Sequence, residues 1–278
     1  MNLLRRTASL PGVRAVLLSP RVRRVLASVL ALRFLTAAWA TTRPFAVLSG
    51  ELLARGQIRT YRIRATGVPV ALQHGRDLEA LFELFSRGEY DPPVPLRDRL
   101  GPDAVTTVLD VGANVGMFSA WARGRWPQAR IVAVEPAPEN VAVLVEQAGQ
   151  DGRTEVVVAA VAPADGETGF VEGWGAGSHV PSDAEQPTTV VRTVDWFPLF
   201  AAADLVKMDI EGGEWPVLTD PRLADLERLT LVMEYHRVGA PSLPASAAAR
   251  GLLEAAGFEV GHETPNYWGH GTLWAWKG

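Results

Sequence analysis

Two parts of this sequence place polar side chains where an apolar run gives way to a turn. In the first, Asp110, Gly112, Asn114 and Gly116 alternate with small apolar residues, after the run at 106–111 and before Met117 and Phe118. Glycines between a strand and a helix allow a tight turn and let backbone approach a ligand at the helix N-terminus. Glu135 closes the next apolar run, 19 residues after Gly116, where an acid can accept both hydroxyls of a ribose. The dinucleotide fingerprint would need glycine at Asn114 and Met117, and no lysine of a phosphate loop is present. Asp110 would repel a pyrophosphate. It suits a cofactor that carries an amino group and a sulfonium cation.

The second part gathers Lys207, Asp209, Glu211 and Glu214 at the end of an apolar run, and Glu234 and His236 end the following one. Ligands of open parallel sheets bind beyond the carboxyl ends of the strands. Alternation places Lys207, Asp209 and Glu211 on one side if the chain is extended. Transfer of a group to a hydroxyl needs an aligned acceptor, exclusion of water and removal of one proton. A base of near-neutral pKa serves best, which favours His236, with Glu234 or Asp209 orienting it or replacing it. Lys207 neutralises the carboxylates or hydrogen-bonds the acceptor; a structural ion pair with Asp209 is its bland alternative. Glu214 reads as the start of the next helix. Glu211 is a substrate contact, as are Ser178 and His179 in the glycine-rich loop 173–179, where His179 is a rival base. Tyr267, Trp268 and His270 either frame an acceptor sugar or pack together. A divalent metal such as Mg²⁺ on Asp209, Glu211, Glu234 and His236 is chemically reasonable. It is not favoured, because no spacing here is diagnostic, and no metal is assigned.

The elements that must hold these groups follow from periodicity. Short apolar strands are expected at 106–111, 131–134, 155–161, 205–210, 229–235, 258–262 and 272–276. Helices are expected at 114–123, stopped at Gly124; around Val141, Leu144, Val145 and Ala148; and around Ala249, Leu252, Leu253 and Ala256. Apolar strands spaced by helices mean a mostly parallel sheet covered on both faces, here of seven strands with the last antiparallel. Upstream, 57–73 reads as a hairpin turning near Gly67. Asp77 can cap a helix that carries Leu78, Leu81, Phe82 and Phe85 to Gly88. The chain thus divides into a basic helical extension (1–50), a hairpin and helix (51–103) and the α/β domain (104–278).

Residues 1–50 hold eight arginines and no acid, whereas the whole chain of 278 residues is −4. The acidic remainder argues against a nucleic-acid substrate. The basic helix suits peripheral contact with a membrane or a homodimer, with a cytoplasmic location. Its apolar run is too short to span a bilayer, and Arg33 interrupts it as a cleavable leader. There are no cysteines, and only two lysines, Lys207 and Lys277. A lysine kept in the interior of so arginine-rich a chain does a different job from a guanidinium fork.

The blocks VLDVGANVGMFS, VAVEPAPENVAVL, LVKMDIEGGEWPVL and VMEYH, with the upstream LEALFELFSRGEYDPP and the later TVDWF, resemble the FkbM family of S-adenosylmethionine (SAM)-dependent methyltransferases. The resemblance covers about residues 60–278 and leaves residues 1–50 outside. It implies a class I methyltransferase (Rossmann-like) fold, SAM as donor, and O-methylation of a small-molecule or glycan hydroxyl, on a sugar, glycolipid or polyketide-type natural product. It further implies that Asp110, Gly112, Asn114 and Gly116 line the methionine side of SAM and Glu135 the ribose. The alternatives are a nicotinamide-dependent oxidoreductase, which lacks its glycines and any Tyr-x-x-x-Lys pair here, and a SAM-binding module without catalysis.

Overall fold

The computed structural model describes residues 31–150, 152–171, 186–265 and 269–278. Ser178, His179, Tyr267, Trp268 and most of the basic N-terminal segment lie outside the described residues.

Residues 31–39 are helical (α1), and α2 covers Pro44–Leu53 with proline in its first turn, where a missing N–H does no harm. The hairpin forms as read: β1 (Ile58–Arg62) pairs antiparallel with β2 (Pro69–Gln73), and Gly67 turns with φ +74°. Helix α3 (Leu78–Phe82) runs into a π-helical turn at Glu83–Arg87, closed by left-handed Gly88. Asp77 occupies the N-cap position as read, but its side chain makes no capping bond; its Oδ2 accepts instead from the backbone N–H of Gln73 at 2.8 Å.

The α/β region then unfolds in order: β3 (Thr107–Val111), α4 (Met117–Arg125), β4 (Arg130–Val134), α5 (Pro138–Ala148) and β5 (Thr154–Val157), then β6 (Ala160–Ala162), β7 (Gly166–Phe170) and β8 (Thr189–Asp195). It continues with α6 (Trp196–Ala201), β9 (Leu205–Met208), α7 (Glu214–Leu218), β10 (Leu229–Tyr235), α8 (Ala245–Ala255), β11 (Glu259–Pro265) and β12 (Gly271–Lys277). The main sheet has seven strands in the order β11-β12-β10-β9-β3-β4-β5. β10, β9, β3, β4 and β5 are mutually parallel, and β12 is antiparallel to both its neighbours. This is the fold class expected. The strand order reverses at β3, between β4 and β9, so the crevice for a ligand opens above β3.

Three local readings change. The strand expected at 155–161 is two: the chain leaves the main sheet after Val157, and β6 joins β8 and β7 in a separate three-stranded sheet. Helix α4 does not stop at Gly124. That glycine sits inside the helix because a Cβ there would meet Thr66 Cγ2 at 2.8 Å. In α5 the buried face is Asn140, Val143, Leu144, Gln147 and Ala148, while Val145 is exposed. Gln147 is buried because it bonds the hairpin, accepting from Ala71 N–H and donating to the Pro69 carbonyl.

Alternation along the strands builds a core on each face of the sheet. Val108, Ile131 and Leu205 face a cluster shared with Ala37, Ala38, Val47, Tyr61, Leu81 and Trp121. Leu109, Val206 and Leu231 face one with Trp196, Phe200, Trp215 and Leu253. The helices and hairpin upstream of residue 104 therefore cover one face of the sheet.

Candidate functional site

At the end of β3 the backbone turns through Gly112 (φ +71°), Asn114 (φ +51°) and Gly116 (φ +86°). A Cβ on Gly112 would lie 1.9 Å from the Asp209 carbonyl oxygen. Only glycine lets the turns after β3 and β9 approach so closely. Lys207 fastens these turns together. It stands opposite Asp110 in the β3–β9 register. Its Nζ donates to the carbonyls of Gly112 (2.7 Å) and Val111 (3.3 Å), and lies 3.5 Å from Asp110 Oδ1 and 3.8 Å from Asp209 Oδ2. The ammonium is thus engaged by the turn. Lys207, expected in catalysis or in an ion pair with Asp209, is held by the turn and also lines the cavity beside it.

Asp110 is also placed differently from expectation. It is fully buried beneath the turn, with Oδ2 accepting from the Ser119 hydroxyl at 2.7 Å and Oδ1 facing Lys207. Burial pushes its carboxyl up, against the pull of Lys207 and Ser119. It shapes the glycine turn from below and does not line the cavity.

Glu135 ends up where the sequence put it, at the carboxyl end of β4. Its Oε2 accepts from Asn114 N–H at 2.9 Å, and Oε1 accepts from Ala137 N–H at 2.9 Å and Asn140 Nδ2 at 3.1 Å. Burial raises its carboxyl while these donors oppose the shift. A carboxylate has about four acceptor positions, so one remains for a hydroxyl of a ligand. Asn140 was missed by sequence reasoning; its only signal is its place one turn into the helix that follows Glu135. Asn114 Oδ1 is buried and lacks a hydrogen-bond partner among the described residues.

Across the sheet edge, β9 ends at Met208, so strict alternation stops and Asp209–Gly213 form a turn. Glu211 takes a left-handed φ of +52°, uncommon outside glycine. His236, just past β10, is buried. Its Nε2 faces Glu211 Oε2 at 3.5 Å and Asp209 Oδ1 at 4.0 Å. Glu214, fully buried at the start of α7, holds the other side: its Oε1 accepts from His236 N–H at 2.6 Å and lies 3.2 Å from Nδ1, while Oε2 accepts from Gly212 N–H. Burial disfavours charge on the imidazole, but Glu214, Asp209 and Glu211 outweigh it and push the pKa up to about 9. That value lies above the near-neutral one for which the sequence favoured His236 as a base. Burial and Asp209 push Glu234 up to about 8.

Gly112, Asn114, Glu135, Asn140, Lys207, Asp209, Glu211 and Glu234 line one cavity of about 260 Å³, whereas Asp110, Gly116, Glu214 and His236 do not. Gly112, Asn114, Glu135 and Asn140 form one part of its wall, with Ala160 and Phe170 from the second sheet. Asp209, Glu211 and Glu234 form another, joined by Glu83, Glu89 and Tyr90 from the segment after α3. From β4 to β10 is three strand spacings, about 14 Å, so the cavity suits an elongated ligand. Glu83, pushed up to about 7 by burial and then by Glu89, and Glu89 and Tyr90 were not singled out in the sequence, since nothing local in LFELFSRGEY marks a wall. His270 stacks edge-on to His236 with ring centroids 5.0 Å apart.

The sequence profile of the methyltransferase FkbM domain matches residues 110–260. The AMB antimetabolite synthetase AmbE of Pseudomonas aeruginosa is 62% identical over 37 residues, which is 13% of this chain and 2% of that protein. Methyltransferase 1 of Beauveria bassiana is 28% identical over 191 residues, covering 58% of this chain and 75% of the other. The chain thus spans a small fraction of the synthetase and three quarters of Methyltransferase 1. Among solved structures, Aeropyrum pernix fibrillarin with natively bound S-adenosyl-L-methionine shares 15% identity at a TM-score of 0.35, over 61% of this chain and 66% of that one.

Proposed function

This chain belongs to the FkbM methyltransferase family, with SAM as its methyl donor, and on that premise we propose that it methylates a hydroxyl of a sugar, glycolipid or polyketide-type natural product. The observation that carries this reading is the cavity that runs from Glu135 to Asp209 and Glu234. Glu135 binds the ribose, and the glycine turn gives backbone room for the amino-acid arm. The orphaned Asn114 Oδ1 is an acceptor for the ammonium of that arm. Carboxylates at the far end favour a cationic sulfur over a phosphate.

When bound, SAM supplies an activated methyl: the acceptor oxygen forms the new O–C bond while the C–S electron pair returns to sulfur. Asp209 and Glu211 take the proton of the acceptor hydroxyl as that bond forms, and Glu234 beside them helps to orient it. The test is incubation of the full chain with methyl-labelled SAM and a panel of hydroxylated sugars, glycolipids and polyketides, each beside its deoxy or amino analogue. Label on an ether oxygen supports the proposal; label only on nitrogen or carbon, or SAM bound with no acceptor methylated, overturns it.

The apolar side chains Leu32, Leu35, Trp39, Phe45, Leu52 and Leu53 are exposed on α1 and α2, within the first fifty-odd residues that hold the acid-free run of arginines. Apolar surface beside basic charge is what an anionic membrane surface attracts, and we assign that contact to this segment. Among the described residues no helix is long and apolar enough to cross a membrane. Co-sedimentation with anionic vesicles, lost in high salt, is the expected result. Self-association without lipid binding would assign the surface to a homodimer instead.

A further inference from the structure

We infer that Asp209, Glu234 and His236 form a binding site for one divalent cation of the Mn²⁺ or Zn²⁺ class. One donor atom from each of the three lies within 4.8 Å of the others. Donors of one tetrahedral ion stand about 3.4 Å apart at metal–donor distances of about 2.1 Å, so the three side chains close on an ion by drawing in by about an ångström. Glu234 lies on β10, and Asp209 and His236 directly follow the adjacent parallel strands β9 and β10.

A cluster of acids alone would prove nothing, but His236 adds an independent observation. Its side chain is 5% exposed. Nδ1 is held by Glu214, and Nε2 points at the carboxylates of Glu211 and Asp209, 3.5 and 4.0 Å away. A metal-ligating histidine characteristically gives its other ring N–H to a carboxylate, which fixes the tautomer and aims the free nitrogen at the ion. Glu214 is that carboxylate, itself fully buried and anchored by two backbone N–H groups. The left-handed backbone at Glu211 brings a further carboxylate to the same nitrogen. One imidazole with two carboxylates suits Mn²⁺ or Zn²⁺ better than the all-oxygen shell that Mg²⁺ prefers. Asp209 and Glu234 line the cavity, so an ion here keeps an open position towards it, where it can hold a hydroxyl oxygen and make its proton more acidic. The site stands whether or not the acceptor is a hydroxyl, because metal binding and methyl transfer are measured separately.

The test uses the full chain, stripped with a chelator and titrated with Mn²⁺ alone under electron paramagnetic resonance. One tightly bound Mn²⁺ per chain is expected, displaced by Zn²⁺. His236→Gln and Glu234→Gln should each weaken it at least about tenfold, and His236→Gln, whose side chain does not line the cavity, should leave SAM affinity by calorimetry little changed. In the wild-type protein with labelled histidines, bound Mn²⁺ should broaden the ring signals of His236 and its neighbour His270 first, a readout that needs no variant to fold. Absence of stoichiometric uptake of either metal, variants that bind as the wild type does, or broadening confined to other histidines would each overturn the inference.

Discussion

The lysine at 207 shows how a single residue can sit at an active-site edge and still work on the backbone. Its Nζ holds two carbonyls of the glycine turn and stands between Asp110 and Asp209. Lys207→Met leaves the buried Asp110 without its counter-charge, and breaking a buried pair costs about 3–5 kcal/mol. Chemical denaturation should show that loss, with SAM affinity falling alongside it. Adding Asp110→Asn should recover part of the stability, whereas a lysine that acts only on the acceptor predicts a stable, inactive protein. For Glu135→Ala the expected loss is in SAM affinity, about tenfold or more, since hydrogen bonds to a charged group contribute about 1.5–3 kcal/mol. Calorimetry that finds unchanged affinity would remove the ribose assignment. Glu135 was legible because strand end, turn and acid lie close in sequence. The burial of Asp110 and the use made of Lys207 were not, because each depends on the register of β3 against β9.

Among the elements, the segment that joins the hairpin to α3 carries a pH-dependent strain. Asp77 is buried, and burial raises its pKa from 3.8 to about 6, opposed by the Gln73 N–H and Arg76. Between pH 4 and 6 the folded chain then keeps a proton that the unfolded chain has released, so stability falls as pH rises through that window. It is fully regained below the unfolded value. The two-unit difference corresponds to about 3 kcal/mol. Asp77→Asn should flatten the slope of unfolding free energy between pH 4 and 6, and a slope equal to the wild type's would refute this account. Periodicity identified all seven main-sheet strands, but it merged β5 with β6 and left β7 and β8 unassigned. A strand that leaves one sheet for another keeps the same apolar alternation, so the change of partner is invisible along the chain. The buried Gln147 is a second case: its partners are hairpin carbonyl and N–H groups 76 and 78 residues away.

For the molecule as a whole, residues 31–53 are bound into the fold. Ala37, Ala38 and Val47 are fully buried in the cluster on one face of the sheet. Glu51 accepts from Gly75 N–H and pairs with the buried His74 at 2.7 Å. Removing residues 1–54 should lower the melting temperature markedly, because a few buried side chains at about 1–3 kcal/mol each approach the 5–15 kcal/mol that holds a domain folded. A truncated chain that melts with the full-length one would show the segment to be an independent appendage. Local order of residue types was enough to establish an α/β sheet, the glycine turn after its first strand, the acid that ends the second and the polar groups at the next two strand ends. These signals survive in one dimension because each sits at the boundary of a single element. Which groups face the cavity, which lie beneath it, and that His236 is gripped by Glu214 while Glu83, Glu89 and Tyr90 wall the far side were settled only when the strands paired and the upstream helices closed over them. Burial and charge at those positions come from neighbours distant in sequence, and only the packed sheet brings them together.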